Sequence, residues 1–88
     1  MSSPPADEPA IRILIADDQY LVRRGVRAIV EGSSGMVVVA EAEDGQQAVE
    51  LYRATKPDIA ILDYRMPVLD GAAATETILG EFPDARVI

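Results

Sequence analysis

The chain has 88 residues and no cysteine, 49% of its residues are apolar, and 15 acidic residues against 8 basic ones give a net charge of −7. This length accommodates one small domain without disulfides, and the apolar share is too high for a chain that is disordered by composition. The charge disfavours direct binding to DNA or to anionic lipid, and without a membrane-spanning stretch or a signal peptide we expect a cytoplasmic protein.

The first ten residues differ in composition from the rest of the chain. They contain three prolines, two serines and two acids, which predicts a disordered leader over residues 1–10. A single folded domain is then expected over residues 11–88. Its first element is the apolar run Ile11–Ala16. This run predicts a buried strand, because it is too apolar for a half-exposed sheet.

The next segment predicts a helix that begins at Asp18 or Gln19 and runs to about Glu31, where residues 32–35 (GSSG) end it. Its apolar positions recur at helical spacing and form one stripe, made of Leu21, Val22, Gly25, Val26, Ile29 and Val30. The other face carries three arginines, which are interpreted as solvated side chains: Arg23, Arg24 and Arg27.

The middle of the chain continues the alternation of strand and helix. Met36–Ala42 has three valines at its centre and predicts a second strand. Asp44 followed by Gly45 predicts a turn that opens a second helix, which ends near Thr55 because Pro57 cannot continue it. The buried stripe of this helix is predicted to consist of Gly45, Ala48, Val49 and Tyr52.

The last third of the chain predicts two more strands and one helix. A third strand is expected over residues 58–62, a loop over residues 63–70, and a helix from Gly71 to about Phe82. The inward positions of this helix are expected to be Ala74, Ile78 and Leu79. Residues 86–88 begin a fourth strand. The order βαβαβαβ predicts an α/β fold with parallel strands and right-handed crossovers.

Three aspartates follow the ends of predicted strands. Asp17 and Asp18 close the first strand, and Asp63 closes the third. If these strands are parallel neighbours, the three carboxylates meet at the edge where open α/β sheets bind ligands. Carboxylates crowded together repel each other and favour a hard divalent cation such as Mg²⁺. A helix cap is the alternative role for Asp18 and the preferred one for Asp70, whereas Asp58 is placed at the opposite end of the sheet.

With these residues placed, three stretches of the chain resemble the receiver domain of bacterial two-component response regulators. They are residues 13–19 (ILIADDQ), 40–48 (AEAEDGQQA) and 61–71 (ILDYRMPVLDG). Residues 21–27 (LVRRGVR) further resemble the subfamily whose output is a LuxR-type helix-turn-helix. The resemblance implies a flavodoxin-like, doubly wound parallel sheet of strand order 2-1-3-4-5. It also implies that the receiver domain of residues 11–88 is truncated within the fourth strand.

The resemblance also implies a function and a set of site residues. Asp63 is the expected phospho-acceptor, Asp18 binds Mg²⁺ directly, Asp17 acts mainly through water, and the backbone carbonyl of Arg65 is a further metal ligand. The expected donor is a sensor histidine kinase, and a homodimer is possible. The family's switch Ser/Thr and its lysine follow the fourth and fifth strands, beyond Ile88. DNA binding is expected only through a C-terminal domain outside this chain.

Three alternative functions fit the sequence less well than a phospho-accepting receiver domain. A Mg²⁺-dependent phosphohydrolase with an aspartyl nucleophile generally carries a second acid two residues later, where this chain has Arg65. A nucleotide-binding Rossmann domain needs a glycine-rich turn after its first strand, but the turn here begins with Asp17 and Asp18. A receiver-like interaction module without phosphorylation remains a third alternative. The preferred interpretation is a signalling domain that is not an enzyme and catalyses only phosphoryl transfer to itself.

Overall fold

The computed structural model describes residues 10–88, so the predicted leader lies outside the described residues except for Ala10. Strands and helices alternate along this part of the chain as predicted. They are β1 (Ile11–Ala16), α1 (Tyr20–Glu31), β2 (Met36–Ala42), α2 (Gly45–Thr55), β3 (Ile59–Leu62) and α3 (Gly71–Glu81). The predicted boundaries differ by one or two residues at the start of α1 and β3 and at the end of α3, which is the usual uncertainty of element ends.

The three strands form a parallel sheet in the order β2-β1-β3. The central strand, β1, is covered on both faces, and its residues from Ile13 to Ala16 are at most 2% exposed. Successive side chains of a strand point to opposite faces. Leu14 therefore belongs to one hydrophobic cluster, while Ile13 and Ile15 belong to the other.

Residues 86–88, predicted to begin a fourth strand, lie beside β3 but form only an isolated bridge. Val87 forms a parallel bridge with Ala60. The amide of Ile88 donates to the Ala60 carbonyl at 2.9 Å, and the amide of Leu62 donates to the Ile88 carbonyl at 3.1 Å. This pairing lies on the side of β3 that the predicted strand order assigns to a fourth strand.

The two faces of the sheet are covered unequally. Helices α2 and α3 pack on one face, and every residue of the predicted α2 stripe is buried. In the same cluster the Tyr52 ring contacts the Phe82 ring, with 5.1 Å between their centres. The other face is covered by α1, where Val30 is buried against Ile13 and Ile15 and Val26 is partly buried. Most of the apolar packing therefore lies on the α2–α3 face.

Helix α1 is rotated relative to the sequence prediction. Of the predicted apolar stripe, Leu21 is 81% exposed and Ile29 is 73% exposed. Arg23, predicted to be solvated, is only 7% exposed, so that prediction was wrong. The reason is that the Arg23 guanidinium finds hydrogen-bond acceptors beneath the helix, on the backbone of Asp17 and the side chain of Glu41. An arginine is rarely buried unless it is paired in this way.

Two smaller differences concern exposed apolar and polar side chains. Leu79 of α3, predicted to point inward, is 38% exposed, whereas Ala74 and Ile78 are buried as predicted. Arg27 is only partly exposed and pairs with Glu31 and Glu41, while Arg24 is exposed as predicted. Among residues 10–88, no helix combines the length and apolar character needed to cross a membrane.

Candidate functional site

The strand pairing brings Asp17 and Asp63 to the same edge of the sheet. Ala16 and Leu62 are paired residues at the ends of β1 and β3, and one aspartate follows each of them. The amide of Asp63 donates to the Ala16 carbonyl at 2.8 Å, and the amide of Asp17 donates to the Ala42 carbonyl at 3.1 Å. Backbone hydrogen bonds of the sheet therefore fix the Cα positions from which the Asp17 and Asp63 side chains project.

Carboxylate oxygens of Asp17, Asp18 and Asp63 lie within 4.8 Å of one another. Asp17 and Asp63 are partly buried, and Asp18 is exposed. Oxygens bound to Mg²⁺ at about 2.1 Å in an octahedron are about 3 to 4.2 Å apart. The upper limit of 4.8 Å is close to this range, so the three carboxylates can face one ion. The donor set fits the ion if one carboxylate acts through a water molecule.

Asp17 has a structural role in addition to its place in the cluster. Its Oδ1 atom accepts a hydrogen bond from the Gln19 amide at 2.9 Å. Gln19 is the N-cap residue of α1, and no side chain caps this helix from that position. The alternative role of Asp18 as the helix cap is therefore not observed. One oxygen of Asp17 is already engaged, which suits an indirect contact with a metal.

The loop from Asp63 to α3 is held by two glycines. A Cβ atom on Gly71 would lie 2.1 Å from the Asp63 carbonyl oxygen, and a Cβ atom on Gly45 would lie 1.8 Å from the Leu69 carbonyl oxygen. Both distances exclude any side chain without a backbone shift. The sequence pattern placed these glycines at helix starts but gave no sign of the close approach. The loop is thus packed directly against the beginnings of α2 and α3.

Aspartates cap both of those helices; Asp70 was predicted as a helix cap and Asp44 as a turn residue. Asp44 accepts from the Gln47 amide at 2.7 Å, and Asp70 accepts from the Ala73 amide at 2.8 Å. The loop of residues 63–70 is anchored by Met66, which is 8% exposed and belongs to the hydrophobic cluster under α2 and α3. The Arg65 side chain is exposed. All peptide bonds of the described residues are trans, including the one that precedes Pro67.

A partly buried ion-pair network lies beside the aspartates. Arg23 Nη1 donates to the Asp17 carbonyl at 2.7 Å, and Arg23 Nε donates to Glu41 Oε1 at 3.1 Å. Arg27 binds the other oxygen of Glu41. Burial by itself would raise the pKa of Glu41, but the hydrogen bonds from Arg27 and Arg23 outweigh it and hold that pKa below its usual range.

The opposite end of the sheet contains no part of this cluster. Asp58 accepts from the Arg12 amide at 2.8 Å at the start of β3, as its predicted placement requires. A surface groove of about 910 Å³ also lies at this end and is lined by residues such as Arg12, Tyr52 and Asp58. This groove is therefore separate from the edge where the carboxylates converge.

The fold and the acidic edge define an α/β signalling domain of known type. The family model of the response regulator receiver domain matches residues 13–88. The chain belongs to this family.

Curated relatives agree with this assignment. The chain is 39% identical over 82 residues to the transcriptional regulatory protein DegU of Brevibacillus brevis, covering 93% of this chain and 35% of DegU. It is 36% identical over 78 residues to the response regulator GacA of Pseudomonas aeruginosa, covering 89% of this chain and 36% of GacA. The chain thus spans about a third of the length of these relatives.

Solved structures show the same fold. The signal receiver domain of NarL from Mycobacterium tuberculosis superposes with a TM-score of 0.87 at 40% identity, covering 91% of this chain and 64% of that one. A LuxR-family response regulator from Aurantimonas superposes at 0.85 with 41% identity, covering 89% and 56%. In the CheX–CheY–BeF₃–Mg²⁺ complex from Borrelia burgdorferi the match has a TM-score of 0.86 at 30% identity, covering 90% and 60%. The flavodoxin-like receiver fold predicted from the sequence is confirmed.

Proposed function

We propose that this receiver domain accepts a phosphoryl group on Asp63 from the phosphohistidine of a sensor histidine kinase. The observation that supports this proposal most directly is the convergence of three carboxylates within 4.8 Å at the ends of β1 and β3. Asp18, Asp63 and the backbone carbonyl of Arg65 would hold Mg²⁺, and Asp17 would act through water. The Mg²⁺ named with CheY in the Borrelia burgdorferi complex supports this choice of metal.

The residues of this chain carry out the transfer in simple steps. Asp63 is the nucleophile, and a carboxylate at neutral pH needs no general base, which agrees with a chain that has no histidine. A lone pair of its Oδ atom forms the new O–P bond while the N–P bond of the donor breaks. The electron pair of that bond remains on the imidazole nitrogen. Bound Mg²⁺ supplies neutralisation of the phosphoryl oxygens.

The output of the switch is proposed from the relatives. DegU is named as a transcriptional regulatory protein, and the chain covers 35% of it. We place this domain in the cytoplasm, within a longer protein that binds DNA through its remaining part. The domain itself, with a net charge of −7, repels nucleic acid. It catalyses only phosphorylation of itself, and phosphorylation shifts its equilibrium between two conformations, with homodimerisation as one readout.

The test is phosphorylation of the complete protein by a small phosphodonor in the presence of Mg²⁺, followed by intact mass. We expect a gain of one phosphoryl group, no gain in Asp63→Asn, and a normal gain in the control Asp84→Asn, which changes an exposed acid after the end of α3. An equally labile phosphate on Asp63→Asn would overturn the assignment. Rapid hydrolysis of the phosphodonor with no accumulated phosphoprotein would indicate a phosphohydrolase, and neither hydrolysis nor a mass gain in the unaltered protein would indicate an interaction module.

A further inference from the structure

Asp17 is held by three hydrogen bonds, two to its backbone and one to its side chain. Its amide donates to the Ala42 carbonyl at 3.1 Å, its Oδ1 accepts from the Gln19 amide, and its carbonyl accepts from Arg23 Nη1 at 2.7 Å. The first two partners are backbone groups of neighbouring elements. The third is a side chain that reaches back from the first turn of α1.

The bond to the Asp17 carbonyl has a direct effect on Asp18. The carbonyl of Asp17 and the amide and Cα of Asp18 lie in one rigid peptide plane. A hydrogen bond to that carbonyl therefore fixes the orientation of the plane from which the Asp18 side chain projects. Asp18 is exposed, so packing does not hold its carboxylate toward Asp63. The peptide plane fixes the position of the Asp18 Cα and so limits the directions that its carboxylate can take.

The arrangement of charges indicates that Arg23 is not buried merely to neutralise Glu41. Arg27 already binds Glu41, through the carboxylate oxygen that Arg23 leaves unused. Arg23 itself is held by Glu41 on one side, and its guanidinium lies 5.5 Å from the centre of the Tyr20 ring. These contacts orient the guanidinium so that its Nη1 atom meets the Asp17 carbonyl.

We propose that Arg23 is a positioning residue of the metal site. It holds the Asp17–Asp18 peptide so that the Asp18 carboxylate is directed toward Asp63 before the cation arrives. Partners of this indirect kind commonly change metal affinity strongly although they do not touch the metal. This inference rests on the proposed function and adds a residue to it.

The sign of the effect distinguishes positioning from simple electrostatics. Removing a positive charge near a cation site favours cation binding, so a purely electrostatic role for Arg23 predicts tighter Mg²⁺ binding in Arg23→Met. Loss of positioning predicts weaker binding. We expect the Mg²⁺ dissociation constant of the complete protein to rise about 10-fold in this variant. Arg24→Met removes the same charge from the exposed neighbouring position and is expected to bind Mg²⁺ as the unaltered protein does.

The measurement is a Mg²⁺ titration followed by the amide shifts of residues 18 and 63, with a thermal melt of each variant. In the phosphorylation assay the Mg²⁺ concentration for half-maximal rate should rise in Arg23→Met, while the rate at saturating Mg²⁺ changes little. A variant that only destabilised the fold would not change the half-maximal Mg²⁺ concentration while leaving the rate at saturating Mg²⁺ the same. Arg23→Lys retains the charge and one donor and should bind Mg²⁺ with intermediate affinity.

The outcomes separate this inference from the proposed function. If Arg23→Met binds Mg²⁺ as tightly as Arg24→Met, or more tightly, the inference is overturned and the function of Asp63 stands. If Arg23→Met does not fold, Arg23→Lys decides, and unchanged affinity in it overturns the inference. If the unaltered protein shows no Mg²⁺ response, the proposed function itself fails.

Discussion

The two faces of the sheet differ in how they are built. Under α2 and α3 the contacts are apolar and continuous, and Leu14, Ala60 and Ile78 are almost completely buried. Under α1 a few aliphatic side chains share the space with a buried arginine, and Leu21 and Ile29 on the outer side of the helix are exposed. The first face contains most of the hydrophobic stabilisation. The second places a polar network directly beneath the loop that holds Asp17 and Asp18.

The largest difference between the faces should appear when one isoleucine on each is shortened. Ile78→Ala, at a position 1% exposed, is expected to cost about 2–5 kcal/mol of unfolding free energy, because it removes buried methyl groups and leaves a cavity. Ile29→Ala, at a position 73% exposed, should change it by less than about 0.5 kcal/mol. Urea denaturation of both variants measures the contrast. A comparable loss in Ile29→Ala would show that the outer side of α1 is covered in the complete protein.

A second contrast compares one glycine from a helix on each face of the sheet. Gly45→Ala places a Cβ 1.8 Å from the Leu69 carbonyl and should cost about 1–3 kcal/mol as the loop is displaced. Gly25→Ala lies inside α1 with nothing within 4 Å of the new Cβ, so it should stabilise the fold by about 0.5–1 kcal/mol. Thermal melting gives both values. Equal effects of the two substitutions would contradict the packing of the loop against α2.

The smallest expected effect is the pH dependence of the network under α1. The pKa of Glu41 is lower in the folded chain than in the unfolded one, so its charged form stabilises the fold above about pH 4.3, and this contribution is lost as the pH falls through the depressed pKa. Glu41→Gln should therefore lower the stability at pH 7 by about 0.5–1 kcal/mol. The difference from the unaltered protein should shrink in acid. Urea unfolding at a series of pH values tests this, and a constant difference would contradict it.

Much of the fold follows from local signals in the sequence. Apolar runs of strand length, the Asp–Gly pairs and Pro57 placed the elements to within one or two residues. The meeting of Asp17, Asp18 and Asp63 followed from one topological rule, that neighbouring parallel strands end at the same edge. The cap formed by Asp70 was likewise recognised from its neighbours in the sequence, and the turn at Asp44 was placed at the start of α2.

Local signals of this kind could not predict the orientation of α1. Its apolar stripe alone cannot show that Arg23 turns inward, because the acceptors that hold it are the Asp17 carbonyl and Glu41, which lies 18 residues away. The conformation of Val68 was equally unpredictable. Its φ of 68° lies in the left-handed region that a β-branched residue rarely adopts. Both features depend on how separate segments meet in three dimensions.

The amide of Asp63 donates to the carbonyl of Ala16, so the spacing of the two halves of the site is one step of a β-sheet. That step is about 4.8 Å in parallel sheets generally and does not depend on which side chains the strands contain. Core residues can therefore be exchanged during evolution without changing the separation between the acceptor strand and the strand that precedes the acidic pair. The site tolerates divergence of its surroundings because its dimensions are those of the peptide backbone.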